Sequence, residues 1–283
     1  MKILGIESSG LVASVALVEN GSLKAEYTIN NKMTHSQTLL PMLEDMMKLA
    51  GDDIKTVDVI GISAGPGSFT GLRIGAATAK GLALALNIPV IKISSLAAMA
   101  FQLSHGGANI ICPIMDARRG QVYCAAYQMG ICLIPEQAMS MEDFIAELNK
   151  LDIGENEYVF LGDGVPVQEG LIAEKLDGEY DFATAENNRQ RGASVAVLAE
   201  KIYKRWLREN NITAEKVKEL GADAINFFDE TVMNSDEFIP EYLRKPQAER
   251  EKESGLLEDP GEHSLKKIAK GAVSGREKKT DAH

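Results

Sequence analysis

Two short stretches carry the residue types from which a phosphate or metal site could be assembled. The first is Glu7-Ser8-Ser9-Gly10, an acid and two hydroxyls at the end of an apolar run. The second is Gly65-Pro66-Gly67-Ser68-Phe69-Thr70-Gly71, followed by a helix-type sequence that continues to about Asn87. Glycines let the backbone take positive φ and come close to a ligand. A helix N-terminus offers an anion free N–H groups and the positive end of a dipole. The loop is not a P-loop, because no Gly-Lys-Ser/Thr closes it, and it is not G-x-G-x-x-G. A tight strand-to-helix turn accounts for the glycines as well, and a polar strand end accounts for Glu7. His35 has no second histidine at i+4, so capping or hydrogen bonding is its ordinary role. Arg118-Arg119 reads as a solvated turn or an anion clamp. Cys112, Cys124 and Cys132 form no C-x-x-C pair and read as small core residues in a reducing compartment.

These residues have to be placed by regular elements, and the pattern supplies them. Residues 2–7 and 11–18 read as strands, and Asn20-Gly21 is a type I′ hairpin signal returning into 23–28. Residues 35–50 read as a helix, with Leu39, Leu40, Leu43, Met46, Met47 and Ala50 on one continuous face and Gly51 as its stop. The methionines suit core gap-filling or an adaptable contact surface. A strand at 57–64 leads into the glycine loop and its helix, where Gly71, Gly75, Ala79 and Ala83 recur every fourth residue. That side-chain-poor stripe would let another helix approach to about 8 Å. Then come a strand at 89–93, a helix at 95–103 and a hinge at Gly106-Gly107. A second strand–hairpin set follows at 110–115 and 121–128, with helices at 141–151 and 193–209 and a strand at 158–161. The expected organisation is α/β, with a first lobe at 1–104, a second at 105–192, and a helix at 193–210 returning to the first. Residues 205–235 read as an insertion or lid, with a short helix at 217–228. Residues 245–283 are charged and interrupted, basic from Lys266 to Lys279, and read as a mobile tail.

Composition narrows the function. The 283 residues are 45% hydrophobic and 25% charged, with formal net charge -11 and pI near 5.0. An acidic chain is poorly suited to gripping nucleic acid unaided. No apolar run reaches the length of a membrane span, and Met1-Lys2 leads straight into a strand, so a cytoplasmic protein is expected.

Five blocks together resemble a known family. They are I-x-S-S-G-x-x-A-S-V-A-L at 6–17, His35-Ser36 with Leu39-Leu40-Pro41, and Gly65-Pro66-Gly67-Ser68-Phe69-Thr70-Gly71-Leu72-Arg73-Ile74-Gly75. Asp116-Ala117-Arg118-Arg119-Gly120-Gln121-Val122-Tyr123 and Pro240-Glu241-Tyr242-Leu243-Arg244 complete the set. They are similar to the TsaB (YeaZ) family over residues 1 to about 245. The resemblance implies an actin-like ATPase (ASKHA) fold of two ribonuclease H-like lobes. It implies a part in making N6-threonylcarbamoyladenosine in tRNAs that read codons starting with A. In that pathway TsaD transfers the threonylcarbamoyl group, TsaB is its catalytically silent paralogue and scaffold, and TsaE is an ATPase that joins them. The family also implies a homodimer when alone, and contact with tRNA only through the complex.

In actin-like ATPases the acid ending the first strand is normally Asp and helps hold a metal–nucleotide; here it is Glu7. TsaD carries a metal-binding H-x-x-x-H, and the matching positions here, aligned on Pro89, are Ser95 and Met99. Without those imidazoles there is no Lewis acid for the carbamoyl carbonyl, and no G-x-S-x-G elbow or Cys–His pair supplies a nucleophile. The expectation is therefore no catalytic residue, no metal and no required cofactor, with weak ATP or ADP binding near Glu7, Ser8, Ser9 and Gly67. The expected partner interface is a four-helix contact through His35, Leu39, Leu40, Leu43, Met46 and Met47 with Gly71, Gly75, Ala79 and Ala83. The alternatives are an active small-molecule kinase or ATPase and, more remotely, a peptidase.

Overall fold

Strands that are apolar along their whole length can only be covered on both faces, and three such strands form the spine of the first lobe. These are β1 (Lys2–Glu7), β2 (Ala13–Glu19) and β4 (Val59–Gly65), buried at nearly every position. The computed structural model describes residues 1–31, 33–104, 107, 109–152, 154, 156–225 and 231–244. The expectations for Gly106, for residues 226–228 and for the tail from 245 lie outside these residues.

β1 pairs antiparallel with β2, and β2 with β3 (Ser22–Ile29), across a turn in which Asn20 and Gly21 take φ 49° and 82°. β1 also pairs in parallel with β4, and β4 with β5 (Val90–Ser94). β11 (Val232–Met233) adds an antiparallel edge to β5. The second sheet repeats the pattern. β6 (Ile110–Asp116) pairs antiparallel with β7 (Gln121–Gln128), and β7 with β8 (Ile131–Ser140). β6 then pairs in parallel with β9 (Tyr158–Leu161), and β9 with β10 (Tyr180–Phe182). The orders β3-β2-β1-β4-β5 and β8-β7-β6-β9-β10 are one topology used twice. This is the α/β, actin-like ATPase (ASKHA) fold of two ribonuclease H-like lobes.

Helices cover both faces of the first sheet. α1 (His35–Ala50) starts at a Thr34–Gln37 capping box and stops at Gly51 with φ 69°. α2 (Phe69–Leu86) starts at the Ser68 cap. Both lie over one core with Leu4, Ile6, Val15, Leu17, Ile60 and Ile62. α6 (Gly192–Glu209) covers the opposite face with Val195, Ala196, Ala199, Tyr203 and Trp206. α3 (Ser95–Leu103) lies between the lobes, giving Ala98 to the first core and Leu96, Met99 and Ala100 to the second. α4 (Met141–Leu148) and α5 (Val165–Lys175) pack on the second sheet, Phe144 and Ile172 being fully buried. Among the described residues no helix is long and apolar enough to cross a membrane.

The structure redraws the expected interface. Leu39, Leu43, Met46 and Met47 are 1%, 6%, 0% and 5% exposed, because the apolar face of α1 is spent on the chain's own sheet. The stripe of α2 is equally internal: Gly71, Gly75, Ala79 and Ala83 are all buried. A Cβ on Gly71 would overlap the Ser8 carbonyl, and one on Gly75 the Ser8 hydroxyl while crowding Ile62. The close approach the stripe permits is therefore to the turn after β1, not to a partner's helix. Of the ten residues named, Leu40 alone is exposed, at 53%, and His35 is half-buried. Where residues 205–235 are described, they pack on the first lobe. α7 (Ala214–Leu220) places Val217 in the core under α6, and β11 extends the sheet. Cys112 and Cys124 are buried, whereas Cys132 is exposed because β8 is the outer strand of its sheet.

Gly75→Leu is expected to destabilise the isolated chain by at least about 2 kcal/mol, as overpacking does, which urea or thermal unfolding would read. A variant that melts like the wild type would mean the stripe faces outward after all.

Candidate functional site

β1 ends in Glu7, directly opposite Ser14 of β2, so the residues that follow turn across the end of the sheet. Glu7 is 0% exposed. Its Oε1 accepts both the Ser9 backbone N–H and the Ser9 hydroxyl, each at 2.6 Å. Its Oε2 is buried and has no hydrogen-bond partner. Burial disfavours the charged form and pushes the carboxyl up to about 7, against the opposing effect of the Ser9 hydrogen bonds.

The glycine loop lies on this turn. The Ser8 hydroxyl donates to the Gly71 carbonyl at 3.0 Å, and the Ser8 N–H to the Ser63 hydroxyl at 3.3 Å. The Ser9 carbonyl accepts the Ser68 N–H at 2.6 Å. A Cβ on Gly67 would overlap that same carbonyl, so only glycine lets the two backbones meet. His35 Nε2 lies 3.0 Å from the Gly10 carbonyl, which ties α1 to the turn as well. Glu7, Ser8, Ser9 and Gly67 thus come together, but as a closed junction. Two of the N–H groups at the start of α2 are already satisfied, Ser68 by Ser9 and Gly71 by the Ser68 hydroxyl. Ser8 and Ser9 are fully buried.

The other candidate positions are just as interior. Ser95 and Met99 are each 0% exposed, with Met99 packed among second-lobe residues. Among the described residues no three His, Cys, Asp or Glu side chains converge as a metal-binding group. Arg118 and Arg119 form a turn at φ 66° and 58°, where the Arg118 N–H donates to Asp116 at 2.8 Å.

One part of the site escaped sequence reasoning. The stretch from Thr231 to Leu243 runs back beside α2, where Lys80 donates to the carbonyls of Asp236 and Phe238, each at 3.3 Å. The Glu241 N–H donates to the Ala64 carbonyl at 2.7 Å. Tyr242 then packs on Phe69 at 5.0 Å between ring centroids, and Arg73 lies 3.9 Å from the centre of the Phe69 ring. Both blocks were visible as motifs, but nothing local in either says that they touch.

Glu7 gives the junction a pH signature. Its folded pKa lies above the ordinary 4.5, so the native state holds the proton more tightly than the unfolded chain does. The resulting stabilisation is complete below about pH 4.5 and is lost as pH rises through about 7, by roughly 3 kcal/mol in total. Glu7→Gln keeps an Oε1 acceptor and removes the titration. Between about pH 5 and about pH 8 the wild type should lose stability relative to this variant in denaturant unfolding. Parallel pH profiles would contradict this assignment.

Comparison with known proteins agrees with the geometry. A family profile described as "TsaD: tRNA N6-adenosine threonylcarbamoyltransferase" matches residues 24–252. The chain is 32% identical over 202 residues to the tRNA threonylcarbamoyladenosine biosynthesis protein TsaB of Bacillus subtilis, covering 70% of this chain and 86% of that protein. It is 38% identical over 129 residues to TsaB of Escherichia coli, covering 45% and 55%. Among solved structures it resembles YeaZ from Pseudomonas aeruginosa with a TM-score of 0.60 and 27% identity, over 76% of this chain and 96% of that one. A second Pseudomonas aeruginosa protein, described as having similarity to peptidase YEAZ, matches with a TM-score of 0.65 and 25% identity, over 86% and 99%. With its duplicated lobes and its glycine loop closed over the turn after β1, this chain belongs to the TsaB (YeaZ) family.

Proposed function

We propose that the chain acts in N6-threonylcarbamoyladenosine formation on tRNA as a non-catalytic partner of a TsaD-type transferase. It docks through the outer surface of α1 and α2, pairs with itself when alone, accepts a TsaE-type ATPase as third member, and meets tRNA only through the complex, in the cytoplasm. The observation that carries this reading is the closed junction. The acid and hydroxyls that would handle a metal–nucleotide are instead fully buried, Glu7 and the Ser9 hydroxyl bonding each other and the Ser8 hydroxyl donating to the Gly71 carbonyl.

With the inner faces of α1 and α2 occupied, the docking surface has to be the outer one. Leu40 on α1 is 53% exposed, and Leu84 on α2 is 60% exposed, with Ala77 and Arg73 also outward. Single exposed leucines are ordinary, but here they lie on two helices packed side by side. Burying both against a partner's apolar side chains would contribute roughly 25 cal/mol per Å² of apolar surface covered.

The test is a double variant, Leu40→Asp with Leu84→Asp. Its unfolding free energy should stay within about 0.5 kcal/mol of the wild type, as for surface changes, while co-purification with a TsaD-type paralogue is lost. A variant that still pairs would move the interface elsewhere. Metal-dependent ATP turnover by the isolated wild-type chain would overturn the non-catalytic role.

A further inference from the structure

We infer that Arg73 is a specificity-determining residue of the docking face: its guanidinium, stacked on Phe69 beside Tyr242, is preset to receive a carboxylate of the transferase-type partner. The inference rests on the α1–α2 surface proposed above and names the group that this surface recognises.

Phe69 is the first residue of α2 and Arg73 follows it by four, so the ring and the side-chain stem meet one turn apart on the same side of the helix. The guanidinium carbon lies 3.9 Å from the centre of the ring, well within cation–π range. The ring has a second neighbour in Tyr242, at 5.0 Å between centroids. Tyr242 belongs to the 231–243 strap, which is tied down at several points. Lys80 holds the carbonyls of Asp236 and Phe238, and the Glu241 N–H donates to the Ala64 carbonyl at 2.7 Å. A Cβ on Gly65 would overlap the Glu241 carbonyl, so the strap lies directly on the end of β4. Tyr242 is thus fixed through its backbone, Phe69 packs on it, and Arg73 lies on Phe69. A long exposed side chain ordinarily loses rotamer freedom when it binds. This one has given up part of that freedom already, which favours association.

The charge of Arg73 is not used inside the chain. Among the described residues it pairs with no Asp or Glu, although the sequence holds 41 acids against 30 Lys and Arg. Arg118, Arg191 and Arg205, by contrast, each pair with an acid. Its place on the surface says what it meets. Arg73, Ala77 and Leu84 turn to one side of α2, and all three are exposed. Ile239, Tyr242 and Leu243 are exposed on the strap. A guanidinium set among apolar side chains suits a single carboxylate on a protein, which it binds through two parallel N–H···O bonds. A nucleic-acid backbone fits less well. It carries a charge at every phosphate, and Asp236 and Glu237 are exposed on the strap beside α2.

Titration calorimetry of the full chain with the purified transferase-type paralogue, at about 50 mM and about 300 mM NaCl, tests this. Arg73→Met should weaken binding about tenfold at the lower salt, with a smaller loss at the higher. Arg73→Lys, which keeps the charge but not the planar fork, should recover only part of it. Tyr242→Leu and Phe69→Leu should each cost about threefold in the wild type and nothing further in Arg73→Met, because they act through the guanidinium. Exposed Asp and Glu residues of the paralogue are then changed one at a time to their amides. One of them should reproduce the Arg73→Met loss and be silent when combined with it. Equal affinity of Arg73→Met and wild type at both salts overturns the proposal, as does a loss that no carboxylate of the paralogue accounts for. If Arg73→Met binds the paralogue normally but the complex retains less tRNA, the guanidinium serves a phosphate and the proposal also falls. The double variant Leu40→Asp with Leu84→Asp separates the two readings. Binding lost there and kept in Arg73→Met rejects this inference alone. Binding kept there and lost in Arg73→Met rejects the α1–α2 assignment and leaves the carboxylate contact standing.

Discussion

The meeting of the turn after β1 with the glycine loop sets the geometry of the first lobe. Ser8 and Ser9 present carbonyl and hydroxyl oxygens to α2, and Gly67, Gly71 and Gly75 leave the room for them. Because no side chain intervenes, α2 lies close to β1 and β4, and Ala76, Ala79 and Ala83 continue its inner face with small side chains. The Leu/Met face of α1 then fills the adjoining part of the same core. A loop able to cradle phosphate in a nucleotide-binding protein here cradles the chain's own backbone. The consequence is structural: the junction is buried, burial raises the pKa of its acid, and the inner faces of the two helices are taken up by the chain's own core.

The lobes are tied together by polar contacts as well as by α3. Ser94, which caps α3, donates to Glu136 of β8, and the Tyr127 hydroxyl of β7 donates to the same carboxylate at 2.6 Å. Farther along, the Asn188 carbonyl accepts the Gly162 N–H at 3.1 Å, and the Arg189 carbonyl accepts from Gln102 at 3.0 Å. Arg191 pairs with Glu26 of β3. A single short segment before α6 therefore touches the second sheet, α3 and the first sheet in succession.

Much of the fold was legible because its signals are local. Asn20-Gly21 specified a hairpin, the spacing of Leu39, Leu43, Met46 and Met47 specified a helix face, and Gly51 its end. What periodicity cannot say is what an apolar face packs against, so the inner face of α1 suits a partner surface as well as a core on the sequence alone. The stripe from Gly71 to Ala83 likewise announces close approach without naming the neighbour, which proved to be Ser8. α5 gave no signal because only Gln168 and Ile172 on it are buried and Pro166 sits in its first turn. β8 was missed because Met129-Gly130, a positive-φ turn at 51° and 81°, is not a usual hairpin pair. The seating of Tyr242 on Phe69 depends on distant chain segments, and no local rule reports it.

The central claim is that this chain supports the chemistry of a transferase-type paralogue and performs none of it. The direct measurement is threonylcarbamoyladenosine in digests of tRNA incubated with threonylcarbamoyl adenylate and either protein or both. The account predicts no modified nucleoside from this chain alone and more from the paralogue when the chain is present than when it is absent. Modification by the chain alone, or a paralogue whose yield is indifferent to the chain, would contradict it.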